Sequence, residues 1–345
     1  MIKSHSGTAR GRGELALIAE IRRRAARAAS QNRLGGLRLG IGDDCALLAP
    51  RAGEELAVTT DLSIAGRHFR LEWHEPEAVG HRAMARGLSD LAAMGARPVA
   101  AFLSLGVPRE LTVAKGRRSA WVSRFLDGLM ALAEAEKTPL AGGDLAESPV
   151  AVADIVLIGA VPRGRALLRS GAHAGDLLYV TGALGGAAVG LARLAELTTS
   201  GSAKPPRIPK SLESTLAPHL YPQPRVAQGL WLQRRGLASA AIDLSDGIST
   251  DLAHLCEESG VSAEVDATLL PLGQGASWAE ALDGGEDYEL LFTAAATARI
   301  PRQISGVQVT RIGRILKARQ GKPPITLFTP QGAEPLMRQG WEHFS

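Results

Sequence analysis

The chain has 345 residues, of which 45% are hydrophobic and 21% charged, and its formal net charge is +4. That length suits two domains of ordinary size, and no apolar run approaches the roughly 18 residues of a membrane helix. The basic balance does not mark a nucleic-acid surface: its one dense cluster, Arg22, Arg23, Arg24 and Arg27, has no interleaved aromatics to stack on bases and reads as a solvated helix face.

The only cysteines, Cys45 and Cys256, form no CxxC pair, which points to a reducing, cytoplasmic setting. The Arg-rich start contains Glu14 and Glu20 and lacks the apolar core of a secretory signal, so residues 14 to 29 are read as the first helix. Residues 55 to 60 (ELAVTT) predict a strand leading into Asp61. Residues 77 to 95 predict a helix with Val79, Ala83, Leu88 and Leu91 on one apolar face. A strand over 99 to 105, a helix over roughly 117 to 136 and a strand over 151 to 161 complete the first half. A second unit begins near 170. There a strand over 175 to 182 runs into a glycine-rich turn, and a helix covers 185 to 196. Residues 197 to 224, rich in Ser, Thr, Lys and Pro, predict a long surface loop. Helix 225 to 235, strand 239 to 243, helix 247 to 259 and strand 263 to 266 follow. This alternation gives an α/β (α+β) class.

Six aspartate-bearing turns carry the chemical signal: GIGDD (40 to 44), TTD (59 to 61), LSD (88 to 90), GGD (142 to 144), DLSDG (243 to 247) and GGED (284 to 287). Any one of them is ordinary turn chemistry. Six together, mostly at strand ends, offer hard oxygens to a divalent cation such as Mg²⁺, beside glycines that let a ligand approach the backbone. If they converge, a bound cation is needed to offset their mutual repulsion. The dinucleotide fingerprint, the P-loop, HExxH and GxSxG are all absent. Among the histidines, His68 is singled out because its segment, AGRHF (65 to 69), comes shortly after TTD.

Taken in order, GIGDDCALL, VTTDLSIAGRHF, LSDLAAMGARP, AGGDLAES, LLRSGAHAGDLLYVTGALG, AIDLSDGISTDL, GGEDYELLFT and GWEHF resemble the thiamine-monophosphate kinase family. That family belongs to the superfamily of aminoimidazole ribonucleotide synthetase and selenophosphate synthetase. The resemblance covers nearly the whole chain outside 197 to 224, with departures at Cys45 and Ala65. It implies a two-domain PurM-like fold: an N-terminal ATP- and Mg²⁺-binding domain (1 to 165) and a C-terminal α/β domain (166 to 345). The N-terminal domains pair into a β-barrel across a homodimer. It also implies ATP-dependent phosphorylation of thiamine monophosphate to the diphosphate, with several Mg²⁺ ions, no covalent nucleophile, and no membrane or nucleic-acid partner.

By motif position, Asp43, Thr59, Thr60, Asp61, Asp90, Asp144 and Asp243 or Asp246 resemble Mg²⁺ ligands. Gly143, Asp144, Arg169 and Ser245 resemble ATP contacts. His68, Glu286 or Asp287, and Trp341 resemble contacts to thiamine phosphate. The acceptor phosphate is already ionised at neutral pH, so such a reaction needs charge neutralisation and alignment rather than a general base. Selenophosphate synthetase would carry a reactive Cys near its N-terminus, and nothing before Cys45 serves. The hydrogenase-maturation relative would end in cysteine, whereas this chain ends HFS. Aminoimidazole ribonucleotide synthetase lacks the GGEDYEL and GWEHF pattern. A non-catalytic nucleotide-binding scaffold would not need so many clustered carboxylates.

Overall fold

Leu17, Ile21 and Ala25 recur every fourth residue and are buried along one side of the first helix, α1 (Glu14–Gln31). The computed structural model describes residues 14–31, 36–114, 119–198, 204–318, 321 and 324–340. A small hairpin of β1 (Leu37–Leu39) and β2 (Leu47–Leu48) brackets the GIGDD segment. Then come β3 (Glu54–Ile64), α2 (Pro76–Ala93), β4 (Arg97–Val107), α3 (Trp121–Ala135), β5 (Leu140–Glu147) and β6 (Val152–Pro162). They form a four-stranded sheet in the order β3-β6-β4-β5, with β4 and β5 parallel and the other pairs antiparallel.

Strand β3 follows the period of two that a pleated strand imposes. Thr59 and Asp61 point to the α2 side, where they meet Asp90 and Arg86. Leu56, Val58, Thr60 and Leu62 point the other way, and the three apolar ones are 43%, 61% and 46% exposed. Helix α2 starts on Pro76, whose missing N–H costs nothing in a first turn. Val79, Ala83, Leu88 and Leu91 are buried as the spacing predicts, but so are His81, Arg82 and Ser89. The helix is enclosed on several sides because it also meets the second half of the chain.

That half contains β7 (Leu177–Thr181), α4 (Gly186–Leu197), α5 (Glu213–Leu220), α6 (Val226–Arg235), β8 (Ala240–Asp243), α7 (Ile248–Ser259) and β9 (Val261–Asp266). It continues through α8 (Trp278–Asp283), β10 (Leu290–Ala294), β11 (Gln303–Ile304), β12 (Val307–Lys317), β13 (Ile325–Thr329) and β14 (Gly332–Pro335). Its sheet runs β14-β13-β9-β12-β7-β10-β8, with β11 beside β12 and only β13–β9 parallel. Helix α5 falls where the composition predicts a loop. It forms because Leu216 and Leu220 pack on Leu194 of α4, and these few apolar anchors outweigh Pro218 and the polar surroundings.

The two halves share a core in which Val226, Leu232, Ala241 and Phe292 join residues of α2, α3 and the first sheet. Helix α6 crosses α2 so closely that a Cβ on Gly229 would lie 2.0 Å from the Ala92 carbonyl oxygen. Helix α2 is thus the partition between two α/β domains, and its polar residues face the junction.

Candidate functional site

At that junction, Thr59 Oγ1 donates to Asp90 Oδ2, and Ser89 Oγ donates to Asp243 Oδ2 at 2.7 Å. Thr59, Asp90, Arg169 and Asp243 line one cleft of about 490 Å³. Burial, then the charges of Asp243 and Asp61, push the Asp90 carboxyl up to about 7. Burial also raises Asp243, with Asp61 adding to it and the Ser89 hydrogen bond and Arg169 opposing it. Asp61 is raised by burial and by Asp154 and Asp246, while Arg86, 3.2 Å away, pulls against the shift. These are buried carboxylates at close quarters, a site that favours added positive charge.

The DLSDG turn is folded around Asp251. The backbone N–H groups of Ser245, Asp246 and Gly247 all donate to Asp251 Oδ2, at 3.0, 3.0 and 3.1 Å. Burial, with the charges of Asp243 and Asp246, pushes Asp251 up to about 8 against those hydrogen bonds. Gly247 has φ +101, and a Cβ there would lie 2.7 Å from the Leu282 carbonyl oxygen, so only glycine lets α7 start beside Asp246.

The GGED turn is stitched to the same loop: Glu286 N–H donates to Ser245 O at 2.7 Å and Tyr288 N–H to Leu244 O at 2.9 Å. Glu286 and Tyr288 both have positive φ, 58° and 51°, an uncommon conformation for side-chain-bearing residues. The two neighbouring carboxylates do different work. Asp287 accepts from the N–H groups of Gly185 and Ala187, at 2.6 and 3.1 Å, at the N-terminus of α4. Glu286 accepts from Arg82 at 2.7 Å and keeps its side chain 28% exposed. Glu289 is held by Thr181 and Arg225.

Other residues of the expected set lie apart. Strand register puts Asp144 and Asp154 on either side of Ser104, on the sheet face away from α2 that Thr60 shares. Asp43, Gly143 and Asp144 line a second cavity of about 470 Å³ with Ile18, Ile21 and Phe102. Gly143 has φ +148, and a Cβ there would sit 1.9 Å from Leu103 O. Arg22, read from sequence as part of a solvated face, lays its guanidinium on Gly42, where a Cβ would come within 2.5 Å of it. Thus Thr59, Asp61, Asp90, Asp243 and the Asp246 turn gather on one side of the first sheet. Asp43, Thr60 and Asp144 lie on the other.

Among the described residues, no three His, Cys, Asp or Glu side chains converge in a metal-holding group. His68 Nδ1 accepts the Ile64 N–H at 3.1 Å, closing the turn after β3. Trp341 lies outside the described residues. The last described residue, Gly340, packs so tightly that a Cβ would lie 2.0 Å from Asp246 O. Sequence reasoning missed Arg82, Arg86, Ser89 and Asp251. For the first three, the available signal was the recurrence of polar residues along one side of an otherwise apolar helix.

Residues 42–164 match the family described as AIR synthase related protein, N-terminal domain, and residues 173–322 match its C-terminal domain. The thiamine-monophosphate kinase of Escherichia coli (strain K12) is 38% identical over 323 residues, covering 89% of this chain and 92% of that protein. The crystal structure of thiamine-monophosphate kinase from Stenotrophomonas maltophilia K279a superposes with a TM-score of 0.74 at 37% identity, over 91% of this chain and 96% of that one. AaThiL complexed with AMPPCP and TMP gives 0.73 at 29% identity, over 96% and 97%. The architecture is accordingly the mixed α/β, two-domain PurM-like fold. Likeness at this level extends through both domains and the junction between them, and the chain belongs to the thiamine-monophosphate kinase family.

Proposed function

We propose that this chain transfers the γ-phosphoryl group of ATP directly to thiamine monophosphate, giving ADP and thiamine diphosphate. The observation that carries this reading is the meeting of Thr59, Asp90, Asp243 and Arg169 in one interdomain cleft, in a chain of this family. The donors there are all oxygens, the carboxylates are raised by burial and repulsion, and phosphate oxygens and water would complete the coordination shell of a hard cation. That set fits Mg²⁺, which when bound supplies charge neutralisation at the phosphates.

In this reading Thr59, Asp61, Asp90, Asp243 and Asp246 hold metal from the α2 side, and Asp43, Thr60 and Asp144 serve from the other. Gly143, Asp144, Arg169 and Ser245 contact ATP. Arg169, already acting electrostatically on Asp90 and Asp243, is the cation available to a transferring phosphoryl group. His68, Glu286 or Asp287, and Trp341 take the thiamine phosphate; Asp287 is held by backbone N–H groups at the start of α4, whereas Glu286 is held by the side chains of Arg82 and His219. No side chain is assigned as a nucleophile, because the acceptor phosphate itself attacks.

The domain boundary is placed at 165/166, between the two sheets. A homodimer through the first domain, closing a β-barrel, would cover the exposed apolar residues of β3. A cytoplasmic enzyme accords with two unpaired cysteines, and no described helix is long and apolar enough to cross a membrane. The test is a steady-state assay of ADP and thiamine diphosphate from ATP and thiamine monophosphate. Activity should vanish with EDTA and return with excess Mg²⁺. Full turnover in EDTA, or ADP release without thiamine diphosphate, would overturn the reading.

A further inference from the structure

Arg82 is the hub of a buried polar cluster that the phosphoryl-transfer site does not account for. Its side chain is 6% exposed, yet it reaches three separate segments. Nη2 donates to Glu286 Oε1 at 2.7 Å and to the His68 carbonyl oxygen at 3.4 Å, while Nη1 donates to the His219 carbonyl oxygen. His219 Nδ1 lies 3.5 Å from Glu286 Oε2, and its Nε2 lies 3.0 Å from Nε2 of His74. Burial and the Arg82 charge hold both imidazoles neutral, His74 down to about 3 and His219 to about 4. Arg82 is therefore the cation in contact with Glu286. Burial alone would raise that carboxyl, but Arg82 and His219 outweigh it and carry it below the usual carboxylate range.

A buried arginine is costly, and removing one partner of such a pair strands the other. Here the partner is not fully enclosed: Glu286 sits on a positive-φ turn and its side chain remains 28% exposed, although Arg82 and His219 face its two oxygens. The same helix carries both ends of the arrangement. Arg82 and Asp90 are two turns apart on α2, about 12 Å along the axis, so one rigid element spaces the Glu286 carboxylate from the phosphoryl-transfer cleft.

We propose that Arg82 is a positioning residue that fixes the Glu286 carboxylate at the substrate end of the cleft, where it recognises the positive ring of the acceptor. This rests on the kinase reading, in which the acceptor carries an ionised phosphate at one end and a thiazolium beyond it. His219 supports the same carboxylate from α5, and the Arg82 bond to the His68 carbonyl ties in the loop after β3.

The experiment compares the wild-type chain with Arg82→Met, Arg82→Lys, Glu286→Gln and the Arg82→Met/Glu286→Gln double variant. KM for thiamine monophosphate, KM for ATP, kcat and calorimetric binding of thiamine monophosphate without ATP are measured. Arg82→Met and Glu286→Gln should each raise KM and Kd for thiamine monophosphate by roughly tenfold, the loss of one ionic contact. KM for ATP should stay within about twofold. The double variant should be no worse than the worse single one, and Arg82→Lys should recover part of the loss.

An acceptor whose thiazolium is replaced by a neutral ring should bind wild type more weakly than thiamine monophosphate does, and Glu286→Gln should lose that preference. Additive effects, an equal loss for ATP, or an undiminished preference for the cationic ring in Glu286→Gln would overturn the inference. If Arg82→Met does not fold, Glu286→Gln and His219→Gln with the two acceptors decide it. A wild-type chain that neither binds nor turns over thiamine monophosphate overturns the kinase reading along with it. In a wild-type chain that does both, failure of the variants to behave as described overturns the roles of Arg82 and Glu286 alone.

Discussion

Asp90 sits where several effects meet: it accepts from Thr59, lies in the cleft with Asp243, and is pushed up to about 7 by burial and by its acidic neighbours. Asp90→Asn keeps the shape and removes the charge. Activity with saturating Mg²⁺ should fall by at least about a hundredfold, the scale for losing a preorganised electrostatic contact. Retention of most activity would remove Asp90 from the metal set. Stability should move the other way. A carboxyl raised in the folded state stabilises fully below its unfolded value near 3.8, and that contribution is lost as pH rises through about 7. In EDTA, the Tm advantage of Asp90→Asn over wild type should therefore grow from about pH 4 to pH 7 and then level off. His74 and His219 titrate oppositely, losing stability as pH falls below the ordinary histidine range, but they are common to both proteins and cancel in the difference. An advantage that shrinks with rising pH, or a constant one, would contradict the repulsion described for this cluster.

Elements meet at the α2–α6 crossing, where the backbones approach too closely for any side chain on Gly229. Gly229→Ala has helix propensity in its favour by roughly 1 kcal/mol, yet its Cβ would collide with the Ala92 carbonyl two residues after Asp90. The collision should win by about 1 to 3 kcal/mol, as overpacking does in tight interiors. A lower Tm in thermal denaturation, with KM for both substrates rising as α2 shifts, is the expected result; an unchanged Tm would show that the domains can part without cost. This crossing was not legible in the sequence, whereas the elements that make it were. The apolar spacing of α2 and the β-branched run of β3 were sufficient for those two. Strand β12 escapes a reading by twos because its register shifts between Arg311 and Gly313, and its burial recurs every third residue instead. The GIGDD, DLSDG and GGED turns were legible from their glycines, but the expectation of six turns was wrong for the other three. Asp61 lies within strand β3, Asp90 within helix α2 and Asp144 within strand β5, where regular backbone hydrogen bonding carries the chain through them. Nor was the partition of the site legible: Thr59 and Thr60 are adjacent in sequence but on opposite faces, and strand register alone decides which neighbours each one meets. The supporting residues Arg82, Ser89 and Asp251 gain their roles only through partners more than a hundred residues away or through the closure of a turn.

At the scale of the whole molecule, the first sheet ends on β3 as an open edge eleven residues long, and its outward face presents Leu56, Val58 and Leu62 at 43%, 61% and 46% exposure. Soluble chains blunt such edges with charge, proline or a covering element. Within β3, however, Glu54, Glu55 and Asp61 are the only charged residues, and none falls in the run 56 to 60. Half-buried Val156 and Ile158 of β6 extend the patch beside Thr60 and Val58. A contiguous apolar face on an edge strand is what a second copy would cover, by a twofold axis that brings the same face to itself. Light scattering at micromolar concentration should therefore give twice the chain mass. Val58→Lys puts a charge at the centre of the patch, on a side chain that makes few contacts within its own chain. It should shift the mass to that of a monomer while far-UV circular dichroism stays unchanged. Thr60, Asp144 and Asp154 share this sheet face, so losing the partner should also weaken turnover, through KM for ATP more than through folding. A wild-type chain that is already monomeric and fully active would leave the apolar face without a partner of its own kind. A Val58→Lys chain that stays dimeric would move the interface elsewhere on the molecule.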